Sequence, residues 1–351
     1  MPQFIEIDGS YLEGGGQILR TATALSAITK KPCRIFNIRK GREKPGLAFQ
    51  HLLGIQALAQ LCSAKLEGDQ IGSEEIIFEP EEIQSKDLHI KIETAESITL
   101  VLQTLIPAAL CAPDTVKITF DGGATNTFFS PTMDYFQNVF LKILEKMGVK
   151  IEIDIKKQGY YPEGGAKVEI KVYPLLCRGY MGQGEKLKPI NLTEQKKFNK
   201  ISVISGAAEQ LRSQKVAERQ IAGVKEVLGK LKLSTEEKTE YYQTQCPGSQ
   251  ICLIAEFENT LIGTDNIGKT GKRAEDVGKE AALELLKESQ TNACLDKHLT
   301  DQILPYMALA NDKSEVSVSE ITKHSETNMW VIEKFIDGAF KTKDNHIIWN
   351  Q

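Results

Sequence analysis

Three consecutive glycines stand in Tyr11-Leu-Glu-Gly-Gly-Gly-Gln17, immediately ahead of a segment that reads as a helix from Gln17. Gly14 and Gly15 there would present backbone N–H groups at the positive end of that helix, which suits a phosphate. Glu13 beside them offers a carboxylate to a divalent cation, a usual companion of phosphoryl-group chemistry. A plain tight turn explains the same glycines. His51 and His324 occupy loop-to-helix junctions of two segments that share a pattern, whereas His89 and His346 sit in strand-like context and His298 precedes a helix carrying Asp301 and Gln302. A lone histidine usually serves structure, but two at corresponding positions are harder to assign to packing. One basic run stands out, Arg39-Lys-Gly-Arg42-Glu-Lys-Pro45, with Arg20 upstream; taken alone, such a run is a solvated face. Asp121-Gly-Gly-Ala-Thr-Asn126 and Tyr161-Pro-Glu-Gly-Gly165 are further glycine-rich loops, each also readable as a hairpin turn. The sequence has no Gly-x-Ser-x-Gly, no His-Glu-x-x-His and no Walker phosphate loop.

The frame that must position these residues is repetitive. Gln103-Thr-Leu-Ile-Pro-Ala-Ala-Leu110 and Gln302-Ile-Leu-Pro-Tyr-Met-Ala-Leu309 agree at Gln, Leu, Ala and Leu with constant offset. Each leads through a polar break into a β-rich stretch, Val116–Phe120 and Glu315–Ser319, and a looser copy runs from Gln17-Ile-Leu-Arg20 to Cys33–Ile38. A polar loop and an amphipathic helix then follow in every copy. The apolar stripes are Leu52, Ile55, Leu58/Ala59, Cys62; Phe136, Val139/Phe140, Ile143, Met147; and Ile332, Phe335/Ile336, Ala339, all at helical spacing. Copies stacked about a shared axis would bring their strand-end loops together, and chemistry is expected in those loops. The expected large unit spans 1–184 and 294–351. Between its parts, a Gly- and Lys-rich linker from Tyr180 to about Pro189 leads into a smaller inserted α/β domain over 185–293, with strands at Ile201–Ser205 and Ile251–Phe257 and helices near Ser213–Leu231 and Arg273–Lys287. That insertion reads as a lid or binding accessory.

Composition sets the outer bounds. At 351 residues, 41% hydrophobic and 26% charged, the chain has ample mass for a buried core, and no apolar run is long enough to span a bilayer. The start lacks a basic flank followed by an apolar stretch, so no signal peptide is expected. Seven scattered cysteines without a Cys-x-x-Cys pair argue against a zinc site or disulfide framework and suit a reducing cytoplasm. A net charge of −4 gives no support to broad, non-specific attraction to nucleic acid, so any polyanionic partner must be held locally.

Taken together, the segments resemble the RNA 3′-terminal phosphate cyclase family over nearly the whole chain. The matching stretches are Glu13-Gly-Gly-Gly-Gln-Ile-Leu-Arg20, Ile38-Arg-Lys-Gly-Arg-Glu-Lys-Pro-Gly-Leu47 with Gln50 and His51, Gly122-Gly-Ala-Thr-Asn126, Gly159-Tyr-Tyr-Pro-Glu-Gly-Gly165, Asp301-Gln302 and His324-Ser-Glu-Thr-Asn328. The resemblance implies an α/β fold of three βαβαββ-type units with an inserted α/β domain. It implies ATP as co-substrate, Mg2+ or Mn2+ as metal, and an RNA with a 3′-phosphate as partner. A histidine takes AMP from ATP, the AMP passes to the RNA 3′-phosphate, and the neighbouring 2′-hydroxyl closes a 2′,3′-cyclic phosphate as AMP leaves. By motif match the nucleophile falls on His324, which must be neutral to attack. Glu13 falls on the metal-binding position, with Gly14 and Gly15 in its phosphate turn. Arg20, Arg39 and Arg42 fall on phosphate-holding positions, where a guanidinium fork fits. Gln50, His51 and Gln103 match other polar site positions, Asp301 and Gln302 match nucleoside contacts, and Pro131 is expected to pack on adenine.

The chain departs from the family pattern at three places. Ala166 stands for a third glycine, which requires a negative φ there; Gln158 replaces an arginine or histidine; and His298 replaces a tyrosine that stacks on adenine. Two other readings compete: a non-catalytic cyclase-like scaffold of ribosome assembly, and an enolpyruvyl transferase built on similar repeats. His324 in its motif argues against the first; the motifs are not those of the second, and shared fold licenses no chemistry.

Overall fold

Alternating burial, with Ile7, Cys33 and Ile35 wholly buried and their neighbours partly exposed, marks the first two strands as half-covered by a helix layer. The computed structural model describes residues 3–175, 185–231 and 233–350; Cys177 and part of the expected linker at Tyr180–Pro189 lie outside them. The first unit runs β1 (Ile5–Asp8), α1 (Gly16–Thr29), β2 (Cys33–Phe36), α2 (Phe49–Cys62), β3 (Lys65–Glu67) and β4 (Ile76–Glu79). β1 and β2 are parallel, and β4 is antiparallel to both β2 and β3, giving the order β1-β2-β4-β3.

The second unit repeats this plan with β5 (Leu88–Ser97), α3 (Ile98–Leu110), β6 (Val116–Ala124), α4 (Met133–Tyr135), α5 (Leu141–Lys146), β7 (Ile151–Lys157) and β8 (Lys167–Val172), in the order β5-β6-β8-β7. A π-helical turn, Phe136–Phe140, joins α4 to α5, so the expected second amphipathic helix is interrupted at the residues that carry its stripe.

The third unit begins with the two-residue β9 (Asn191–Leu192), which pairs in parallel with a strand more than a hundred residues later. Between them lies the insertion: β10 (Phe198–Ala208), α6 (Val216–Leu228), β11 (Thr235–Tyr242), β12 (Ser249–Phe257), β13 (Leu261–Ile267) and α7 (Ala274–Ser289), sheet order β11-β10-β12-β13. The third unit resumes with α8 (Lys297–Leu309), β14 (Ser314–Ser317), α9 (Lys323–Phe335), β15 (Ala339–Lys343) and β16 (His346–Asn350), order β15-β16-β14-β9. The α/β fold of three βαβαββ units plus an inserted α/β unit is thus present. Because β9 and the buried Leu187 and Ile190 belong to the large unit's sheet and core, we place the start of the insertion after Leu192 rather than at 185. The stripe expected to reach Ala339 ends at Phe335; Ile336 is already extended and Ala339 opens β15.

The first helix of each unit is buried over most of its length, and α3 is apolar nearly all round, with only Leu100 and Gln103 not fully buried. α1, α3 and α8 meet around a cavity of about 20 Å³ lined by Thr21, Gln103, Gln302 and neighbours. One continuous core joins the units, from Ile7 and Leu25 through Leu105, Phe120 and Phe136 to Leu304, Val316 and Trp349. The insertion has its own, built on Ile201, Val224, Leu253 and Ala281.

Asp296 knits the three parts. It caps α8, accepting from His298 N (3.0 Å) and Leu299 N (2.9 Å), and takes the Tyr135 hydroxyl of unit two (2.7 Å) and Gly263 N of the insertion (3.1 Å). Asp296→Ala removes the cap and strands two buried donors, so it is expected to lower stability by about 2–4 kcal/mol. Urea unfolding should show a lower midpoint with an unchanged slope; an unchanged midpoint would contradict this assignment.

Candidate active site

The glycine turn and the helix after it are shaped by what leans on them. Gly14 adopts φ 59°, a left-handed conformation that glycine reaches without strain. Gly15 is the N-cap of α1 and has no side chain to cap it; a β-carbon there would collide with the Glu13 carboxylate, which folds back over the helix start. A β-carbon on Gly16 would collide with the His51 ring. The three glycines thus let a carboxylate and an imidazole close on the N-terminus of α1.

His51 and His324 both fall in the first turn of the second helix of their unit, α2 and α9. Thr322 caps α9 by accepting from Ser325 N (3.2 Å). The half-exposed His324 ring sets Nε2 3.6 Å from Glu13 Oε1, and Glu13 is ion-paired with Arg42. Partial burial, reinforced by the charges of Arg20, Arg42 and His298, lowers the His324 pKa. His51 is pushed down to about 3 by burial and by Arg20 and Arg39. Both imidazoles therefore stay neutral at pH 7.

A cleft of about 670 Å³ opens beside His324, lined by Arg20, Gln103, Pro131, His298, Asp301 and Gln302 among others. Its inner wall is polar and tightly tied. Arg20 donates to Gln17 Oε1, Gln17 to Thr21 Oγ1 (3.2 Å), Thr21 to Asn328 Oδ1 (2.5 Å), and Asn328 to the Asp301 carbonyl (2.6 Å). Gln103 Nε2 donates to Gln302 Oε1 (3.0 Å), and Gln302 donates to the His298 carbonyl (2.7 Å). Burial lowers Arg20 to about 10 against the pull of Asp301, while burial raises Asp301 to about 6 despite Arg20. Arg20 remains a full cation. Its Nε is buried without a partner, as are Glu13 Oε2 and His51 Nδ1. Three buried polar atoms with no internal partner beside one cleft point to a polar ligand that completes them.

Glu13, Gly14, Gly15, Arg39, Arg42 and His51 form a shelf next to this cleft, joined to it through the Glu13–His324 approach. Arg39, at φ 53°, donates to the Gly46 carbonyl (2.9 Å) while its charge acts on His51. Gln50 precedes His51 in the same turn and does not line the cleft. The glycine-rich loops at 121–126 and 159–165 pack on each other: Ala166 N donates to the Gly123 carbonyl (3.1 Å), and Gly122 N to the Ala166 carbonyl (2.8 Å). Ala166 is not among the left-handed residues, so its β-carbon is tolerated, and buried Gln158 accepts from Thr125 Oγ1 (2.5 Å) and Asn126 Nδ2 (3.2 Å).

Several cleft residues carried no warning in the sequence. Asp265, Asn266 and Ile267 reach the wall from the end of β13, and Asp265 accepts from Thr132 N (2.6 Å), next to Pro131. The insertion is therefore part of the cleft. Tyr135 and Phe128 also line it. Asp296 was discoverable: an aspartate just before an apolar helix is an N-cap signal. Among the described residues, no cluster of three or more His, Cys, Asp or Glu side chains could cage a metal.

A family model described as RNA 3′-terminal phosphate cyclase matches residues 11–342. Proteins of that name are similar over almost the full length. The one from Pyrococcus furiosus is 45% identical over 97% of this chain and 95% of its own, the one from Pyrococcus abyssi 44% identical over 96% and 94%, and the one from Archaeoglobus fulgidus 39% identical over 98% and 99%.

With a folded pKa near 3 against an unfolded value of about 6.5, His51 takes up its proton only on unfolding between those pH values. Its contribution to stability is full above the unfolded value and falls as pH drops toward 3. Ring-proton NMR should show no titration of His51 between pH 7.5 and 5; a midpoint near 6.5 would contradict the packing against Gly16 and the arginines.

Proposed function

The chain belongs to the RNA 3′-terminal phosphate cyclase family, and from that premise we propose that it is a ligase that converts an RNA 3′-terminal phosphate to a 2′,3′-cyclic phosphodiester at the expense of ATP, with His324 as the nucleophile. The observation that carries the reading is a half-exposed imidazole held neutral at the mouth of the cleft, among Arg20, Arg42 and His298. In the first step an imidazole nitrogen bonds to the α-phosphorus of ATP as the bond to the pyrophosphate oxygen breaks. An oxygen of the RNA 3′-phosphate then displaces the imidazole from that phosphorus. In the last step the neighbouring 2′-hydroxyl bonds to the RNA phosphorus and loses its proton, and AMP leaves.

The side chains divide the work. Pro131, His298, Asp301 and Gln302 form the nucleoside end of the cleft, with His298 offering a smaller stacking face than a tyrosine. Arg20, with its buried unpartnered Nε, and Arg42 would hold phosphate oxygens and balance the charge that builds on them. Arg39, His51 and Gln50 support this phosphate end from the first turn of α2 and the loop before it. Glu13 fits a Mg2+ or Mn2+ ion as a single protein ligand, since Oε2 is buried and unpartnered and phosphates and water complete such a shell. A bound ion would offset charge on the leaving pyrophosphate. No helix among the described residues is long and apolar enough to cross a membrane, and the described cysteines are free and buried, which supports a reducing compartment; we place the protein in the cytoplasm. The scaffold reading gains nothing from this cleft.

His324→Ala should lower labelling of the protein by α-32P-ATP, and cyclisation, by roughly four orders of magnitude or more with the fold retained by circular dichroism. Substantial labelling of that variant would remove His324 from its role. Glu13→Gln should lower adenylylation by about 10–100-fold and raise the divalent concentration needed; an unchanged metal dependence would refute its part. Because burial, and after it the neighbouring cations, depress the His324 pKa, the acid limb of the adenylylation rate should fall below pH 6.5, and Arg42→Ala should move it upward. A limb that does not move would contradict the electrostatic account.

A further inference from the structure

The insertion carries a second groove, of about 720 Å³, between the β13–α7 loop, the start of α6 and the Tyr160–Pro162 turn of unit two. Four cations line it, Arg219, Lys269, Lys272 and Arg273, and no aspartate or glutamate does. In a chain of net charge −4 this is a local reversal of sign. Glu275 lies behind the groove and pairs with Arg219 (2.8 Å) and Arg273 (3.6 Å), and Glu280 pairs with Lys272, so the cations are fixed in place. Among the described residues, Lys269 has no ion-pair partner. The floor is aromatic: Phe128 and the 58% exposed Tyr161 meet edge to face at 5.8 Å, and Phe129 beside them is fully exposed. Phe128 and Ile267 line both this groove and the cleft beside His324, so the two adjoin.

Resting on the proposed function, we infer that this groove binds the single-stranded RNA segment upstream of the reacting 3′ end. Fixed cations without intervening carboxylates take successive phosphates, and exposed aromatic faces take bases without reading sequence. An acidic polypeptide would satisfy the cations but leave the aromatic faces idle. Adjacency to the cleft puts the strand's 3′ end within reach of the nucleotide. The insertion is then the part of the enzyme that distinguishes a polynucleotide from a short 3′-phosphate.

The test compares wild type with the Lys269→Ala, Arg273→Ala double variant and with Tyr161→Leu. Anisotropy of a fluorescein-labelled RNA of about ten nucleotides with a 3′-phosphate reads binding without requiring catalysis. The double variant should bind about tenfold or more weakly at low salt, with a log–log salt slope shallower by about two. Tyr161→Leu should weaken binding with an unchanged slope. In both variants self-adenylylation and cyclisation of a dinucleotide 3′-phosphate should stay at wild-type levels. Unchanged binding of the long RNA, an equal loss on the dinucleotide, or a polyglutamate peptide of matched charge binding as tightly would each overturn the inference. A wild type that binds the RNA through these residues but never adenylylates would sink the proposed activity and leave the groove standing.

Discussion

A buried chain of side-chain hydrogen bonds, from Arg20 through Gln17, Thr21 and Asn328 to the backbone of Asp301, fastens α1 of the first unit to α8 and α9 of the third. Gln17, Thr21 and Asn328 are all buried, so each lost partner would leave a polar group uncompensated. The chain therefore fixes α9, and with it His324, against the helix that presents Arg20 and the glycine turn. A single imidazole on one helix would titrate near its ordinary value. Partly buried and held among guanidinium groups of the first unit, it stays neutral, which is the state a nitrogen nucleophile needs.

The three units share one plan, yet the site uses their differences. Gln103 and Gln302, corresponding residues of two copies, hydrogen-bond directly, so the repeat closes on itself at the helix axis. The first unit contributes Gln17 and Arg20 to the cleft, the second supplies Pro131 and Tyr135 from its interrupted helix region, and the third supplies His298, Asp301 and His324. Placing the insertion between β9 and α8 brings its β13 to the N-terminus of α8, where buried Asp296 joins it to both. Asp296 and Asp265, which accepts from Thr132 N, both couple the insertion to the cleft.

Much of this was legible in the sequence because it is written in repeated apolar spacing and in glycines with a steric purpose. The helix–strand order of the units follows from buried faces, and Glu13, Arg20, Asp301 and His324 stand in segments whose polarity has no packing explanation. What escaped has physical reasons. β11 is Thr-Glu-Glu-Lys-Thr-Glu-Tyr-Tyr, an exposed edge strand whose stability comes from pairing with β10 rather than from burial. β9 is only two residues long and takes its meaning from a partner beyond the insertion. Asp265 sits on a strand with little alternation, so neither its burial nor its place beside Pro131 could be read from neighbours in sequence. Helix α9 stops at Phe335 although the apolar period continues: Ile336 is already extended, and Gly338 at φ 142° then turns the chain into β15 against Trp349.

The central claim is that the α-phosphorus of ATP becomes bonded to the imidazole of α9 and to no other side chain. Peptide mass spectrometry of wild-type protein incubated with ATP and a divalent metal, without RNA, addresses it directly. The account predicts one AMP per chain, on the peptide containing His324, through a bond labile to acid and stable to alkali as a phosphoramidate is. An adduct on a lysine, on His51 or on His298, or no adduct while RNA is still cyclised, would contradict it.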